Sequence, residues 1–199
     1  MTGSQNSEDR FVLNYFQRAG TALELGAGDG ITMSNTNLLK YRGWNIRQVD
    51  INNQGNKAVE QWDITKYSIN WKLQGSPTFD FVSIDIDGND YWVLAALLKV
   101  QRPLLICCEV NSQLPLNESI TINYDDKRKW SGNYNYGMSY LAAEKLLNGS
   151  GYSVISCLNN QNLMAAFTPD NIQNIDRSEY GATFSHPEIM GENDKWIQV

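Results

Sequence analysis

The sequence predicts an α/β fold built on an open, largely parallel sheet, and three observations carry that prediction. A short apolar strand, Ala22-Leu23-Glu24-Leu25, breaks into Gly26-Ala27-Gly28-Asp29-Gly30, a loop with glycine at every second position. A second strand over 44–49 ends in an acid, Asp50, twenty residues after Gly30. The run 79–84 is apolar enough to be central, and 104–110 is the continuous apolar stretch typical of a strand buried in a parallel sheet.

The other elements follow in order. Ser7 before Glu8 and Asp9 reads as a helix start, an N-cap with two acids at the positive end of the dipole. Phe11, Val12, Tyr15 and Phe16 fall at helical spacing, and Gly20 closes the helix. The first strand covers 21–25, and a compact helix over 36–42 is stopped by Gly43. After the second strand, 57–61 reads as an edge-like third strand leading to Trp62-Asp63-Ile64-Thr65. The strand over 79–84 discharges into Asp85-Ile86-Asp87-Gly88-Asn89-Asp90, and 91–100 is a helix apolar on nearly all sides. The strand over 104–110 ends at Glu109 and Asn111.

Residues 112–136 are polar and rich in tyrosine and tryptophan, a length that marks a lid or substrate loop more often than an idle connection. A helix over 137–147 and a closing hairpin of 152–158 with 163–167 complete one domain over 1–168. Beyond Pro169 the pattern weakens, and 169–199 is expected to be a tail or flap packed on the same domain.

The bulk properties exclude several classes. A chain of 199 residues is most simply one domain with one core. No apolar run approaches membrane-spanning length, and the first seven residues lack a signal peptide's apolar core, so the expectation is a soluble, cytoplasmic protein. Three cysteines, two adjacent at Cys107 and Cys108, fit neither a disulfide framework nor zinc spacing and read as small buried hydrophobes. A net charge of −6 without a long basic cluster disfavours nucleic acid and favours a small acceptor.

Which ligand the glycine loop takes follows from spacing. The dinucleotide fingerprint needs glycine at position 31, but Ile31 stands there and Gly30 comes one residue early. Glu24, two residues before the first glycine, suits an ammonium group better than a pyrophosphate, which points to an amino acid joined to a nucleoside. On this reading side chains at Gly26, Gly28 and Gly30 would occupy the ligand's volume. Asp50, followed by Ile51, is placed to receive ribose hydroxyls, or else lies in a solvated turn.

A second constellation lies further along. Asp85 and Asp87 share a face if their strand continues, as do Glu109 and Asn111 on the next strand. Both pairs belong at the carboxyl ends of parallel strands, where ligands bind, and oxygen-only donors suit magnesium or calcium. An EF-hand reading fails, because Asp90 replaces its glycine and Ala96 its glutamate. Asn89 and Asp90 are expected to cap the following helix, leaving Asp85 and Asp87 free.

Glu24-Leu25-Gly26-Ala27-Gly28-Asp29-Gly30 resembles the first motif of class I S-adenosylmethionine (SAM) dependent methyltransferases. Ser34-Asn35-Thr36, the run from Ser83 to Trp92, Arg102-Pro103, Glu109-Val110-Asn111 and Tyr136-Gly137-Met138-Ser139 narrow the resemblance to the FkbM-type branch. It spans roughly residues 4–167. It implies a Rossmann-like, seven-stranded, mostly parallel sheet with an antiparallel last strand and helices on both faces. It also implies O-methylation of a small-molecule or sugar hydroxyl, with Glu24, the three glycines, Asp50 and Ile51 on SAM and Asp85 beside them. Asp63 and Ile64 would take the adenine, although Asp63 equally suits a helix cap. Magnesium, by the same resemblance, would sit on Asp87, Glu109 and Asn111, with Asp85 and Asp87 as the catalytic carboxylates and Asp85 receiving the hydroxyl's proton; without metal, either would act as base directly. Two departures stand out: Asp50 replaces the branch's usual glutamate followed by proline, and the sole histidine, His186, lies in the tail.

Two readings from other classes stand beside this one. A nicotinamide oxidoreductase lacks its third glycine and has Tyr140-x-x-x-Glu144 where lysine is needed. A catalytically silent SAM- or nucleotide-binding module of the same fold is the alternative.

Overall fold

The computed structural model describes residues 3–128, 130, 132–168 and 196–199. Its architecture grows outward from β1 (Thr21–Leu25), which pairs in parallel with β2 (Asn45–Asp50) on one side and β4 (Phe81–Ile84) on the other. Leu25 stands opposite Val49 and Ile84, so all three strands end level and deliver Gly26, Asp50 and Asp85 to one edge. β3 (Glu60–Gln61) lies outside β2, and β5 (Leu105–Glu109) outside β4. The remaining strands are β6 (Ile120–Ile122), β7 (Tyr152–Leu158), β8 (Asn162–Phe167) and β9 (Trp196–Gln198).

The main sheet has the order β3-β2-β1-β4-β5-β8-β7. β8 runs antiparallel to both β5 and β7, so six strands point one way and one the other. The cause is local. Asn159 and Asn160, both at positive φ, make the mirror-image two-residue turn that matches strand twist, and Gln161 N–H closes it on the Leu158 carbonyl at 3.1 Å. That turn folds β8 back between β5 and β7. Chain order reverses between β1 and β4, the switch point where open sheets hold ligands.

Both faces are covered. Leu23 and Leu25 of β1 pack with Val82 and Ile84 against α3 (Lys66–Leu73), α4 (Asp90–Val100) and α5 (Tyr140–Asn148), through Ile69, Val93, Leu94, Leu97 and Leu147. The alternate residue Ala22 faces Val12 of α1 (Glu8–Tyr15) and Leu39 of α2 (Asn37–Lys40), with Trp44, Phe81, Leu105 and Cys107. Cys107, Cys108 and Cys157 are unpaired thiols, the first two buried.

Four local expectations need correcting. Ser7 sits at φ 70° and makes no capping bond; buried Glu8 instead accepts from Asn6 N–H (2.8 Å) and from the Asn162 amide (2.7 Å), tying α1 to β8. The third strand shrinks to two residues because Asn52, Asn53 and Asn56 each bind a backbone N–H two residues on, replacing ladder bonds with turns. Asn89 and Asp90 do not cap α4: the Asn89 amide donates to the Asp125 carbonyl (2.8 Å), and Asp90 accepts from Ile86 and Gly88 N–H, holding the turn after β4. The 112–136 segment is not wholly loop, since β6 pairs antiparallel with β9. His186 and most of the expected tail, residues 169–195, lie outside the described residues. Among those described, no helix is long and apolar enough to cross a membrane.

Candidate active site

The three glycines of the loop after β1 do three different things. A Cβ on Gly26 would fall 1.6 Å from the Asp85 carbonyl oxygen, so this residue lets the turns after β1 and β4 touch. A Cβ on Gly30 would meet Val59 and Gln48 at 2.6 and 2.7 Å. Only at Gly28, φ 54°, is the space open, with the Gln54 amide nitrogen 3.7 Å away. The expectation that all three clear a ligand's volume therefore holds for Gly28 alone; Gly26 and Gly30 make room for protein.

Glu24 is also placed otherwise than expected. Because it alternates with Leu23 and Leu25, its side chain points to the α2 side, where it is 3% exposed. Its carboxylate accepts from Asn35 N–H (2.6 Å), Ser34 Oγ (2.7 Å), Thr36 Oγ1 (2.5 Å) and Gln48 Nε2 (3.0 Å). Four donors from the chain take up a carboxylate's capacity, so Glu24 pins the segment after the glycine loop and does not line the cavity.

That cavity, about 480 Å³, opens at the switch point and is lined by Gly26, Gly28, Asp50, Ile51, Asp63, Ile64, Asp85 and Asp87, among others. Asp50 is fixed by its own turn: one oxygen accepts from Gly28 N–H at 2.7 Å, the other from Asn52 N–H at 2.8 Å. Ile51 beside it is half exposed, offering an apolar surface. Asp63 is not a helix cap, since Thr65 caps α3 in a reciprocal box with Ser68, and Asp63 is left exposed on the cavity wall next to buried Ile64.

The acids of the β4 and β5 ends converge. Asp85, Asp87 and Glu109 each offer a carboxylate oxygen, all within 4.8 Å of one another. Burial first, then the negative charges of Asp90 and Asp87, pushes the Asp85 carboxyl up to about 8. Burial, then Asp85, Asp90 and Asp87, pushes Glu109 up to about 11, and the two carboxyls stand close enough for a proton held by one to be shared with the other. Asp87 is raised by burial and by Asp50. It holds φ 55°, a left-handed conformation unusual outside glycine that carboxylate and amide side chains tolerate best. Glu109 Oε2 is buried with no hydrogen-bond partner. Three close carboxylates with an orphaned oxygen fit a hard divalent cation, whose charge would relieve their repulsion.

Asn111, expected as a third ligand, is spent elsewhere. Its amide donates to the Tyr134 and Tyr136 carbonyls (2.8 and 3.1 Å) and its oxygen accepts from Gln113 N–H (3.0 Å). It shapes the loop rather than the cation site. Glu109 lies in the cluster but not on the cavity wall. The sequence did not single out Asn89 as a lining residue, while Asp126, Arg128 and Trp130 belong to the 112–136 segment read as a lid or substrate loop without being picked out individually. The aromatic richness of 124–136 was the available signal, but no spacing rule ties that loop to the sheet's edge.

No protein-family model matches the sequence, and no curated protein matches it. Solved structures do. Magnesium protoporphyrin IX methyltransferase from Synechocystis with bound S-adenosylhomocysteine (SAH) aligns over 81% of this chain and 80% of its own, at 13% identity and TM-score 0.52. The chain has the Rossmann-like methyltransferase fold. The 1,6-didemethyltoxoflavin-N1-methyltransferase of Burkholderia thailandensis, with its substrate and SAH, aligns over 81% and 76% at 14% identity and TM-score 0.51. The N-terminal domain of EvdMO1, with SAH and D-fucose, aligns over 82% and 83% at 14% identity and TM-score 0.51. In this methyltransferase fold the carboxylate cluster stands at the ends of β4 and β5, beside the reversal of strand order between β1 and β4.

Proposed function

We propose that this chain is a SAM-dependent methyltransferase of the FkbM-type branch that transfers a methyl group to a hydroxyl of a small molecule or sugar. The observation that carries the reading is the cluster of Asp85, Asp87 and Glu109 at the switch-point cavity of a methyltransferase fold. SAM would supply the electrophilic methyl group. Gly28 leaves room for it, Asp50 offers acceptor oxygens to a ribose diol, and Asp63 with Ile64 provides an acceptor and an apolar face for adenine. The acidic lining favours a sulfonium over a neutral thioether, so product leaves more readily than substrate.

Methyl transfer is an in-line displacement in which the protein orients two reactants and prepares the nucleophile. A hydroxyl needs its proton removed, and a carboxyl raised first by burial and then by its acidic neighbours, as Asp85 is, is matched to receive it. A divalent cation held by Asp87 and Glu109 would supply Lewis-acid activation of the acceptor oxygen, with Asp85 beside it to receive the proton. The O-methyl assignment rests on these carboxylates, since the neighbours include an N-methyltransferase.

Calorimetry with SAH and with NAD tests the cofactor: binding of NAD in place of SAH overturns the reading. Transfer of labelled methyl to a panel of sugars and phenols, with and without chelator, tests the chemistry. Equal rates in chelator remove the cation and leave Asp85 or Asp87 as direct base. SAH binding with no transfer to any acceptor establishes the silent module instead.

A further inference from the structure

Arg128 lines the cavity in surroundings that should capture it. Asp50, Asp63, Asp85, Asp87 and Asp126 share the lining, yet among the described residues none pairs with its guanidinium. Of five N–H donors one is used, Nη2 to the Asn123 carbonyl at 3.1 Å, and Nε is buried without a partner. The side chain is nevertheless held. Its stem lies over Gly88, where a Cβ would be 3.0 Å from Cδ and 3.3 Å from Cγ, and its segment is anchored through the bond from Asn89 to the Asp125 carbonyl. An arginine seated by a glycine, kept from five carboxylates and left with most of its donors unmatched, is prepared for an anion from outside the chain.

Gly88 follows Asp87 directly, so the stem of this arginine is seated beside the acid cluster. Trp130, 54% exposed as a residue, lines the same cavity, with Nε1 donating to the Asn133 carbonyl at 2.8 Å. A fixed, exposed indole offers a flat face to a ring.

Resting on the methyltransferase reading, we propose that Arg128 and Trp130 form the acceptor's recognition subsite and that the acceptor is a ring compound bearing a carboxylate or phosphate besides the hydroxyl methylated. The fork of Arg128 takes the anion, Trp130 takes the ring, and the hydroxyl is directed to Asp85 and Asp87. Gly88 is the positioning residue, because its missing side chain is the seat of the arginine.

The test follows the Trp130 indole N–H resonance, assigned with W130F, while glucuronate, inorganic phosphate or glucose is titrated into the full chain with and without SAH. Glucuronate and phosphate should shift it, glucose at equal concentration should not, R128Q should abolish the response, and G88A should weaken it about tenfold or more. G88A keeps the arginine but unseats it, so it carries the test if R128Q does not fold. No anion response in the wild type, or an undiminished one in R128Q, overturns the proposal. So does an R128Q that weakens SAH but not methylthioadenosine, which lacks the amino-acid end, since Arg128 would then hold the cofactor's carboxylate. Failure of SAH to bind sinks the methyltransferase reading instead, and leaves the anion titration readable.

Discussion

The Cα of Gly26 and the carbonyl of Asp85 are in direct contact: a methyl group on the former would lie 1.6 Å from the latter's oxygen. The glycine turn after β1 and the turn that carries the acids are thereby locked together where strand order reverses. No side chain can yield to relieve that contact, because the obstacle is backbone.

Gly26 and Gly28 should therefore respond in opposite ways to alanine. G26A forces two strands apart and should cost about 3 kcal/mol or more, read as loss of cooperative thermal unfolding. G28A meets open space and carries only the left-handed backbone penalty of about 1 kcal/mol, while its methyl intrudes on the cavity. It should melt near the wild type yet bind SAH about tenfold more weakly by calorimetry.

Glu24 makes a contrasting prediction. E24A strands donors from Ser34, Asn35, Thr36 and Gln48 in the interior and should cost about 3 kcal/mol or more in urea unfolding. Since Glu24 does not line the cavity, SAH affinity of the folded protein should fall less than in G28A. A larger loss of affinity than of stability would put Glu24 on the ligand.

Asp85 and Glu109, the most strongly raised of a cluster that includes Asp87 and Asp90, bear on the pH dependence of the cation-free protein. Unfolded, both lose their protons in the usual carboxylate range; folded, they keep them up to about 8 and about 11. Above the carboxylate range the folded state binds more protons than the unfolded, so stability declines as pH rises through that window. E109Q, which needs no shared proton, should lose less, and its melting temperature in chelator should gain on the wild type by a few degrees between about pH 5 and pH 8. Parallel curves would refute the shared proton.

A divalent cation should reverse that trend. Magnesium or manganese must displace the shared proton, so the melting temperature should rise more on metal addition at alkaline than at acid pH, with proton release measurable in two buffers. D87N should abolish the response at little backbone cost, because asparagine accepts positive φ, whereas D87A should lose about 1 kcal/mol more in stability. A metal response that survives in D87N would remove Asp87 from the ligand set.

Strand and helix order were legible in the chain because apolar periodicity and glycine punctuation are local. β1 fell where read, and β4, α4, β5 and the closing hairpin lay within two residues of expectation. The convergence of Asp85, Asp87 and Glu109 was legible too, since carboxyl ends of neighbouring parallel strands share one edge. What the sequence could not express was competition for partners. Glu24 and Asn111 carry the right groups at the right spacing, but donors and acceptors from segments distant in sequence occupy them first. Nor could it show that Gly26 and Gly30 clear space for protein while only Gly28 has open space where a side chain would stand. The residue types and their order along the chain thus determined the fold and the acidic edge. Tertiary packing decided which polar groups remain unsatisfied, and only those can bind a ligand, because a hydrogen-bonding group already buried with its partners has nothing further to offer.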